Sequence, residues 1–360
     1  MEAYSNNKAI YHPLNILKLR NNEQPYPVHV QLIISDFCNQ NCNFCAYRTE
    51  GYQSNELFKI YNNGVINNNP RRMIPLSKLN EIIADCKTMG VKAIQITGGG
   101  EPTVHPDFDQ VISTILDADI DVSVVTNGLL MTEKRAALLS QCSWVRVSID
   151  SACSDTYAKI RRVKQEEFEI VKRNVKRLSN IANRKAYVGI GYTITHDNYR
   201  EIYDGCKLAK SLGVDNIRIS AVFQNDNHKY FEDMESEILD NLNRSEELND
   251  DAFRVFNNFK SRYNDLEQGR PDYHKCHYMH FTTYIGGDQN VYVCCVNSYN
   301  ERGLIGSIVD KSFKELWDSQ LKQDLFNNYD ANKCDRCMFN DKNRFIESLV
   351  QIPKSHANFV

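Results

Sequence analysis

Long apolar runs are what this sequence most plainly lacks. No stretch approaches the ~20 consecutive apolar residues needed to cross a bilayer. The first 22 residues are polar and hold no apolar core of a secretory signal. Strong charge of one sign is missing too. With 43 Lys and Arg against 46 Asp and Glu, the net charge of -3 gives no support for attraction to nucleic acid or anionic membrane. No internal repeat is present, which excludes solenoid and propeller architectures. These absences predict a cytoplasmic protein without membrane or nucleic-acid partners. Its 360 residues, 42% hydrophobic and 25% charged, suit a soluble globular chain of one large domain or two.

Cysteine is present in quantity, at 12 residues. In a large chain without a secretory segment, that argues for metal over disulfides. Cys38, Cys42 and Cys45 fall within the stretch Asp36 to Cys45, just after the apolar run Val28 to Ile34. One loop therefore supplies three thiolates, one too few for a closed four-coordinate site. Three protein ligands on a [4Fe-4S] cube leave one iron open to a substrate or cofactor, as an open position separates catalytic from structural zinc. The plain alternatives are a zinc knuckle and chance clustering. Cys276, Cys294, Cys295, Cys334 and Cys337 lie in the last quarter. Cys86 and Cys206 sit at apolar positions of helical patterns and read as small buried hydrophobes. Cys142 and Cys153 flank a strand and read as equally inert.

The first predicted strand runs from Val28 to Ser35. Residues 46–75 form a long polar insertion rich in Asn and Tyr, read as a lid or binding loop with a disordered surface loop as the alternative. Tyr47, Arg48, Tyr52, Arg71 and Arg72 are its candidate contacts. Beyond it, predicted strands at residues 92–97, 122–126, 144–149, 187–194 and 217–222 alternate with helical patterns beginning at Leu76, Phe108, Thr132, Phe168 and Ile202. Six such units imply parallel strands with right-handed crossovers, an α/β fold. Either an open doubly wound sheet or a curved, incomplete barrel gathers its chemistry at the carboxyl ends of strands. The expected organisation is an extension over 1–26 that wraps the surface and a core over 27–224. A helical linker follows over 225–273, marked by Ile238 and Leu242 and by Phe253, Phe256 and Phe259. A compact cysteine-bearing module covers 274–343 and a tail 344–360.

Together these features resemble the radical S-adenosylmethionine (SAM) enzymes over residues 28–343. The resemblance implies a partial (β/α)6 TIM-like barrel with a small C-terminal iron–sulfur module. Cys38, Cys42 and Cys45, with Phe44 before the last cysteine, match the family's first motif. They are implied ligands of a [4Fe-4S] cluster whose fourth iron is chelated by SAM. Thr97-Gly98-Gly99-Gly100-Glu101-Pro102 resembles the turn that receives the SAM amino group. Val125 to Gly128, with Asn127, and Val147 to Asp150, with Ser148 and Asp150, resemble segments lining the SAM ribose and methionyl groups. Arg161 aligns with an arginine that faces the SAM carboxylate. No residue is assigned a catalytic role. Tyr192, Thr193, Arg218 and Ser220 occupy late strands whose facing is left open.

The last quarter looks like the auxiliary module called twitch, related to the longer SPASM module. That likeness implies a second [4Fe-4S] cluster held by Cys276, Cys294, Cys334 and Cys337; from the cysteines alone a zinc ribbon is the alternative. Two departures stand out. The glycine usual near Gln289 is replaced by Gly286 and Gly287, which predicts a longer hairpin. Cys295 is an extra cysteine, so the choice between Cys294 and Cys295 stays open. No cysteine follows Cys337, so the second auxiliary cluster of the full SPASM type has no ligands.

The resemblance implies reductive cleavage of SAM to a 5′-deoxyadenosyl radical that takes a hydrogen atom from substrate, with an electron donor such as flavodoxin or ferredoxin. The twitch spacing resembles that of dehydrogenases acting on sugar and aminocyclitol hydroxyls. The expected reaction is thus a two-electron oxidation of a small polar metabolite, with the auxiliary cluster as electron acceptor. Three other readings remain. A peptide-modifying maturase forming crosslinks or epimerising residues is one; the short stretch before the first strand leaves no room for a leader-binding domain. Nucleotide or nucleobase modification is another, with Arg71, Arg72, Arg161, Arg162 and Lys164 as phosphate contacts. The third is an iron–sulfur or zinc scaffold without turnover.

Overall fold

The computed structural model describes residues 4–48, 71–223 and 227–351. Most of the predicted insertion, Tyr52 included, and the end of the predicted tail lie outside the described residues. The six predicted strands form a parallel ladder in chain order: β1 (His29–Leu32), β2 (Ala93–Ile96), β3 (Asp121–Thr126), β4 (Trp144–Ser148), β5 (Tyr187–Ile194) and β6 (Asn216–Ala221). The first is shorter than its apolar run. Past Leu32 the chain leaves β2 and pairs with the segment returning from the insertion, Ile74 N–H donating to the Ile34 carbonyl at 3.0 Å.

Helices fill the crossovers: after an N-terminal α1 (Pro13–Arg20) come α2 (Leu76–Met89), α3 (Phe108–Asp117), α4 (Glu133–Leu139), α5 (Ser154–Arg161), α6 (Glu166–Ser179) and α7 (Ile202–Ser211). Their apolar stripes bury as the spacing predicts, α3 for example through Phe108, Val111, Ile112 and Ile115. Each such side chain contributes about 1.5–3 kcal/mol when fully buried. Thr132 caps α4 by accepting from Arg135 N–H. Along the strands burial alternates: Val30, Leu32, Ile94, Ile96, Val145, Val147, Ile217 and Ile219 are buried. On the opposite face Gln31, Gln95, Arg146, Ser148, Thr193, Arg218 and Ser220 are half-buried and polar. One side of the sheet is the core under the helices; the other is a polar barrel interior.

The stretch predicted as a helical linker is only partly so. It holds α8 (Asn227–Phe231), α9 (Glu235–Glu246) and α10 (Phe259–Gln268), but also a strand, β7 (Arg254–Asn257), parallel to β6. Phe253 and Val255 are buried while Arg254 between them is exposed, a short alternation that the phenylalanine spacing of three concealed. Nor does the cysteine-bearing module stand apart. Its first strand, β8 (Thr282–Ile285), pairs parallel to β1, and β9 (Asn290–Tyr292) and β10 (Leu304–Ser307) extend the same sheet. The strand order is β10-β9-β8-β1-β2-β3-β4-β5-β6-β7. In the β8–β9 turn, Gln289 adopts φ +61°, the left-handed backbone that favours glycine. After α11 (Phe313–Asp318) and α12 (Gln320–Asn328), α13 (Asn340–Val350) runs straight through the predicted start of the tail at 344. Its Ile346 packs with Ile16 of α1 and Phe281, so the N-terminal extension is part helix and docked. Among the described residues no helix is long and apolar enough to cross a membrane.

Cys86, Cys142 and Cys206 are buried, whereas Cys153 is exposed. His29, at the start of β1, has its pKa lowered from 6.5 to about 4, first by burial and then by Lys342. Because the fold favours the neutral ring, this stabilisation is present above pH 6.5 and is lost as pH falls toward 4. At pH 5 the penalty is about 2 kcal/mol. Urea unfolding at pH 7.5 and pH 5 is expected to show a drop in stability that is about 1–2 kcal/mol smaller in His29→Gln than in the parent. Equal drops would remove His29 as a source of acid sensitivity.

Candidate cluster and cofactor site

Cys38, Cys42 and Cys45 stand half-buried on the loop leaving the carboxyl end of β1. Two backbone bonds tie this loop to the glycine turn after β2. Gly100 N–H donates to the Ser35 carbonyl at 3.1 Å, and Glu101 N–H to the Phe37 carbonyl at 2.9 Å. A Cβ on Gly100 would stand 2.0 Å from the Phe37 carbonyl oxygen, so the contact admits glycine alone. The Glu101 carboxylate is fully engaged within the chain. It accepts from Thr103 Oγ1 at 2.6 Å, Thr126 Oγ1 at 2.5 Å and Asn127 N–H at 2.7 Å. It therefore fixes the ends of β2 and β3 and acts as a positioning residue; burial raises its pKa against those bonds. Asn127 donates its side-chain amide to Asn39 Oδ1 at 2.7 Å, tying the end of β3 to the cysteine loop.

The other side of the loop is held by α5. Asn41 and Asn43 N–H donate to the Arg161 and Ile160 carbonyls at 3.2 and 2.9 Å. Arg161 is buried, paired with Asp150, and donates to Gln40 Oε1 at 3.2 Å. Its guanidinium lies 5.7 Å from the Phe44 ring centroid, and its Nε is buried without a partner. Asp150, at φ +58°, also accepts from Thr193 N–H at 2.6 Å. Ser148 sits half-buried two residues earlier on the inner face. Every strand-end segment singled out in the sequence thus meets the cysteine loop at one edge.

The sequence reading missed the anchor at the start of that loop. Asp36 is buried, accepts from Arg72 Nε at 2.9 Å, and receives the Tyr299 hydroxyl from the C-terminal hairpin. Gly287 N–H donates to the same Tyr299 oxygen at 3.0 Å. Burial pushes the Asp36 carboxyl up to about 6, with Arg72 opposing. Tyr284, Tyr292 and Tyr299 form a buried cluster against which Tyr47 packs, its hydroxyl 3.1 Å from that of Tyr284. Arg48 donates to the Cys42 carbonyl at 3.0 Å, and Arg71 lies over Phe37. The described parts of the insertion therefore border the cysteine loop.

Cys276, Cys294, Cys334 and Cys337 line one small cavity alongside Tyr273, Asn297 and Tyr329. Tyr329 Oη lies 3.3 Å from Cys334 Sγ, Tyr273 Oη donates to Cys337 Sγ at 3.4 Å, and Asn297 Nδ2 to Cys334 Sγ at 3.5 Å. Cys295 points away and packs against the tyrosine cluster. Burial pushes the Cys38 thiol up to about 12 and that of Cys337 to about 11, and also raises Cys42, Cys276 and Cys294. Thiols so desolvated ionise when a cationic centre compensates the thiolate, so both donor sets suit ligation. Among the described residues no three Cys, His, Asp or Glu side chains converge as a single metal ion requires.

Two family models match the chain. The Radical SAM superfamily matches residues 32–204, and an iron–sulfur cluster-binding domain, SPASM, matches residues 276–338. Residues 32–204 thus carry a radical SAM domain and residues 276–338 an iron–sulfur cluster-binding one, in keeping with the cofactors that the cysteine motifs imply. Among curated radical SAM relatives, GTP 3′,8-cyclase of Pasteurella multocida is 28% identical over 163 residues, covering 44% of this chain and 43% of that protein. The antilisterial bacteriocin subtilosin biosynthesis protein AlbA of Bacillus subtilis is 27% identical over 199 residues, 53% of this chain and 39% of its own. The chain thus spans less than half the length of either relative. In fold, Streptococcus suis SuiB bound to S-adenosylmethionine superposes with TM-score 0.62 at 14% identity, over 91% of this chain and 75% of that one. Native anSMEcpe with bound AdoMet gives 0.56 at 16%, over 84% and 83%.

Gly100→Ala tests the contact on which this radical SAM site is built. It is expected to cost about 2 kcal/mol or more, because backbone must move to admit the methyl group, and to lower iron loading at the first site. Thermal unfolding with iron analysis checks both; an alanine variant of full stability and full iron content would refute the contact's role.

Proposed function

We propose that this chain is a radical SAM enzyme in which Cys38, Cys42 and Cys45 hold the SAM-binding [4Fe-4S] cluster. Cys276, Cys294, Cys334 and Cys337 hold an auxiliary one. The observation that carries the reading is the single hydrogen-bonded network joining the cysteine loop to the glycine turn, Asn127, Asp150 and Arg161. When bound, these groups supply reductive cleavage of SAM, removal of a hydrogen atom from substrate and an acceptor for the electron left behind.

The chain's own residues bind and orient. The bare backbone of Gly98 to Gly100 gives a ligand close approach. Arg161, with one nitrogen unsatisfied, is placed to meet a carboxylate, and Phe44 covers its guanidinium against water. Asn127, Ser148 and Asp150 shape the adjoining wall, and Glu101 holds it in register. Cys294 is preferred to Cys295 because it shares the cavity of the other three thiols.

The reaction we propose is a two-electron oxidation of a small polar metabolite, such as a sugar or aminocyclitol, in the cytoplasm, with a flavodoxin or ferredoxin as electron donor. Support comes from the inner face, where Gln31, Gln95, Arg146, Thr193, Arg218 and Ser220 offer hydrogen bonds in place of an apolar wall. A second reading, a peptide-modifying maturase, draws on SuiB solved with its precursor peptide SuiA, which shares the fold over 89% of this chain.

Replacing Cys38, Cys42 and Cys45 together by alanine is expected to abolish 5′-deoxyadenosine formation from SAM while auxiliary iron is kept. Cleavage persisting in that iron-loaded variant would sink the assignment. At the second site, Cys294→Ser is expected to lose auxiliary iron and Cys295→Ser to keep it, as read by iron and sulfide analysis; the reverse pattern would transfer the ligand role to Cys295.

A further inference from the structure

The largest group of cations in the structure that the proposed SAM chemistry does not use surrounds a partly open cavity beside the barrel interior. Its volume is about 210 Å³, and it is lined by Lys8, Arg218, Arg262 and Lys342, together with Asp265 and Asp341. Arg218 comes from β6, Arg262 from α10, Lys342 from α13 and Lys8 from the N-terminal segment, so four separate pieces of chain bring positive charge to one place. Arg146 of β4 stands close enough to act on Arg218 electrostatically.

The two carboxylates offset only part of this charge, Asp265 acting on Arg262. Asp265 accepts from Asn340 Nδ2 at 2.9 Å, and Asp341 accepts from Asn6 and faces Arg344. Neither Arg218 nor Lys342 forms an ion pair among the described residues. Arg218 Nε is buried without a hydrogen-bond partner, and its guanidinium lies over a neutral ring, Tyr4, at 5.3 Å. Tyr4 is itself anchored edge-on to Phe256 at 4.8 Å. Burial and mutual repulsion push Arg218 down to about 9 and Lys342 to about 8. A desolvated guanidinium without counter-charge, as Arg218 is, destabilises a fold unless an anion joins it.

The cavity is also in register with the cofactor wall. Ser148 pairs with Gly191, and Gly191 with Arg218, across adjacent parallel strands. Two strand spacings separate Ser148 from Arg218, about 10 Å, and at that level Gly191 leaves its place to the Arg146 side chain, whose Cδ would stand 3.4 Å from a Cβ there. A ligand gripped at Arg218 and reaching toward Ser148 therefore passes a further cation, Arg146.

We propose that this cavity binds the anionic group, a phosphate or a carboxylate, of the small substrate, with Arg218 and Lys342 as its principal contacts and Arg262 and Lys8 closing the ring. It rests on the radical SAM reading only in naming the bound anion as part of the substrate. The site also gives the amino-terminal segment a role, since Tyr4 and Lys8 complete the wall.

The test is calorimetric titration of the cluster-loaded, SAM-bound full chain at low ionic strength with two trianions, inorganic pyrophosphate and citrate. Saturable binding is expected, weakened at least tenfold in Arg218→Gln and in Lys342→Gln and unchanged in Arg200→Gln, an exposed control on the outer surface. Preference for pyrophosphate identifies a phosphate as the natural group and preference for citrate a carboxylate; both support the site. No saturable binding of either ion, or equal binding by the parent and both cavity variants, overturns it. Two variants on separate elements keep the test decisive where one fails to fold. 5′-Deoxyadenosine formation in the same preparation scores the enzyme reading independently: a chain that binds pyrophosphate but never cleaves SAM sinks that reading and leaves this site standing.

Discussion

Two backbone hydrogen bonds, from Gly100 to Ser35 and from Glu101 to Phe37, govern the geometry of the whole reactive edge. They bring two loops from adjacent strands closer than any side chain would permit, and each neighbouring feature takes its position from them. Once Glu101 is fixed, its carboxylate gathers Thr103, Thr126 and the Asn127 N–H, and so sets the end of β3. Asn127 in turn reaches back to Asn39 in the cysteine loop, closing the circuit. A buried carboxylate with every bond satisfied is rigid because releasing any one of them leaves a desolvated charge unpaired. The glutamate thus fixes the frame of the turn that its place in the family motif singles out.

A second constraint is the division of the sheet into an apolar and a polar face. The strands are only three to eight residues long, so alternation allows few inward positions in each, and most are polar or bare. A barrel interior without apolar filling collapses less readily than a packed core and leaves room for ligands. Glycine at 191 makes room between Ser148 and Arg218 for the Arg146 side chain. The same alternation lets one strand contribute both to the core and to the cavity: β6 buries Ile217 and Ile219 while presenting Arg218 and Ser220.

Much of this was legible in the sequence, for identifiable reasons. The six strands and their helices showed through because period-two and period-3.6 apolar patterns were long and clean. The cysteine loop and strand-end turns showed through because their spacing is local. Strand β7 did not, because Phe253, Phe256 and Phe259 imitate a helical stripe while the true signal, Phe253 and Val255, is only two residues. The partnership of Asp36 with Tyr299 was illegible because it joins residues 263 apart, and no local pattern encodes it. Arg218 was visible as a charged residue in a strand, but its lack of a counter-ion is a property of folded geometry alone. The choice between Cys294 and Cys295 is likewise geometric, since adjacent residues on an extended chain point in opposite directions.

The C-terminal cysteine module is better understood as the continuation of the barrel than as an appendage. Strand β8 covers the edge of β1 that would otherwise expose unpaired backbone groups, and the hairpin it begins carries Gly287 and Tyr299 to Asp36. A Cβ on Gly287 would lie 2.7 Å from the Asp36 carboxyl, so hairpin and cysteine loop are fitted to each other at atomic range. Lys314 N–H, at the start of α11, donates to Asp85 of α2 at 2.8 Å and adds a second tie between module and barrel. Separating the module would leave Asp36 buried beside Arg72 without its hydroxyl partner and β1 with a bare edge. The two cysteine sets thus belong to one mechanical unit: a shift at the hairpin is transmitted through Tyr299 and Asp36 to a point two residues before Cys38. That coupling explains why the strand carrying the first set is flanked on one side by the glycine turn and on the other by the module, with little freedom left to the loop between them.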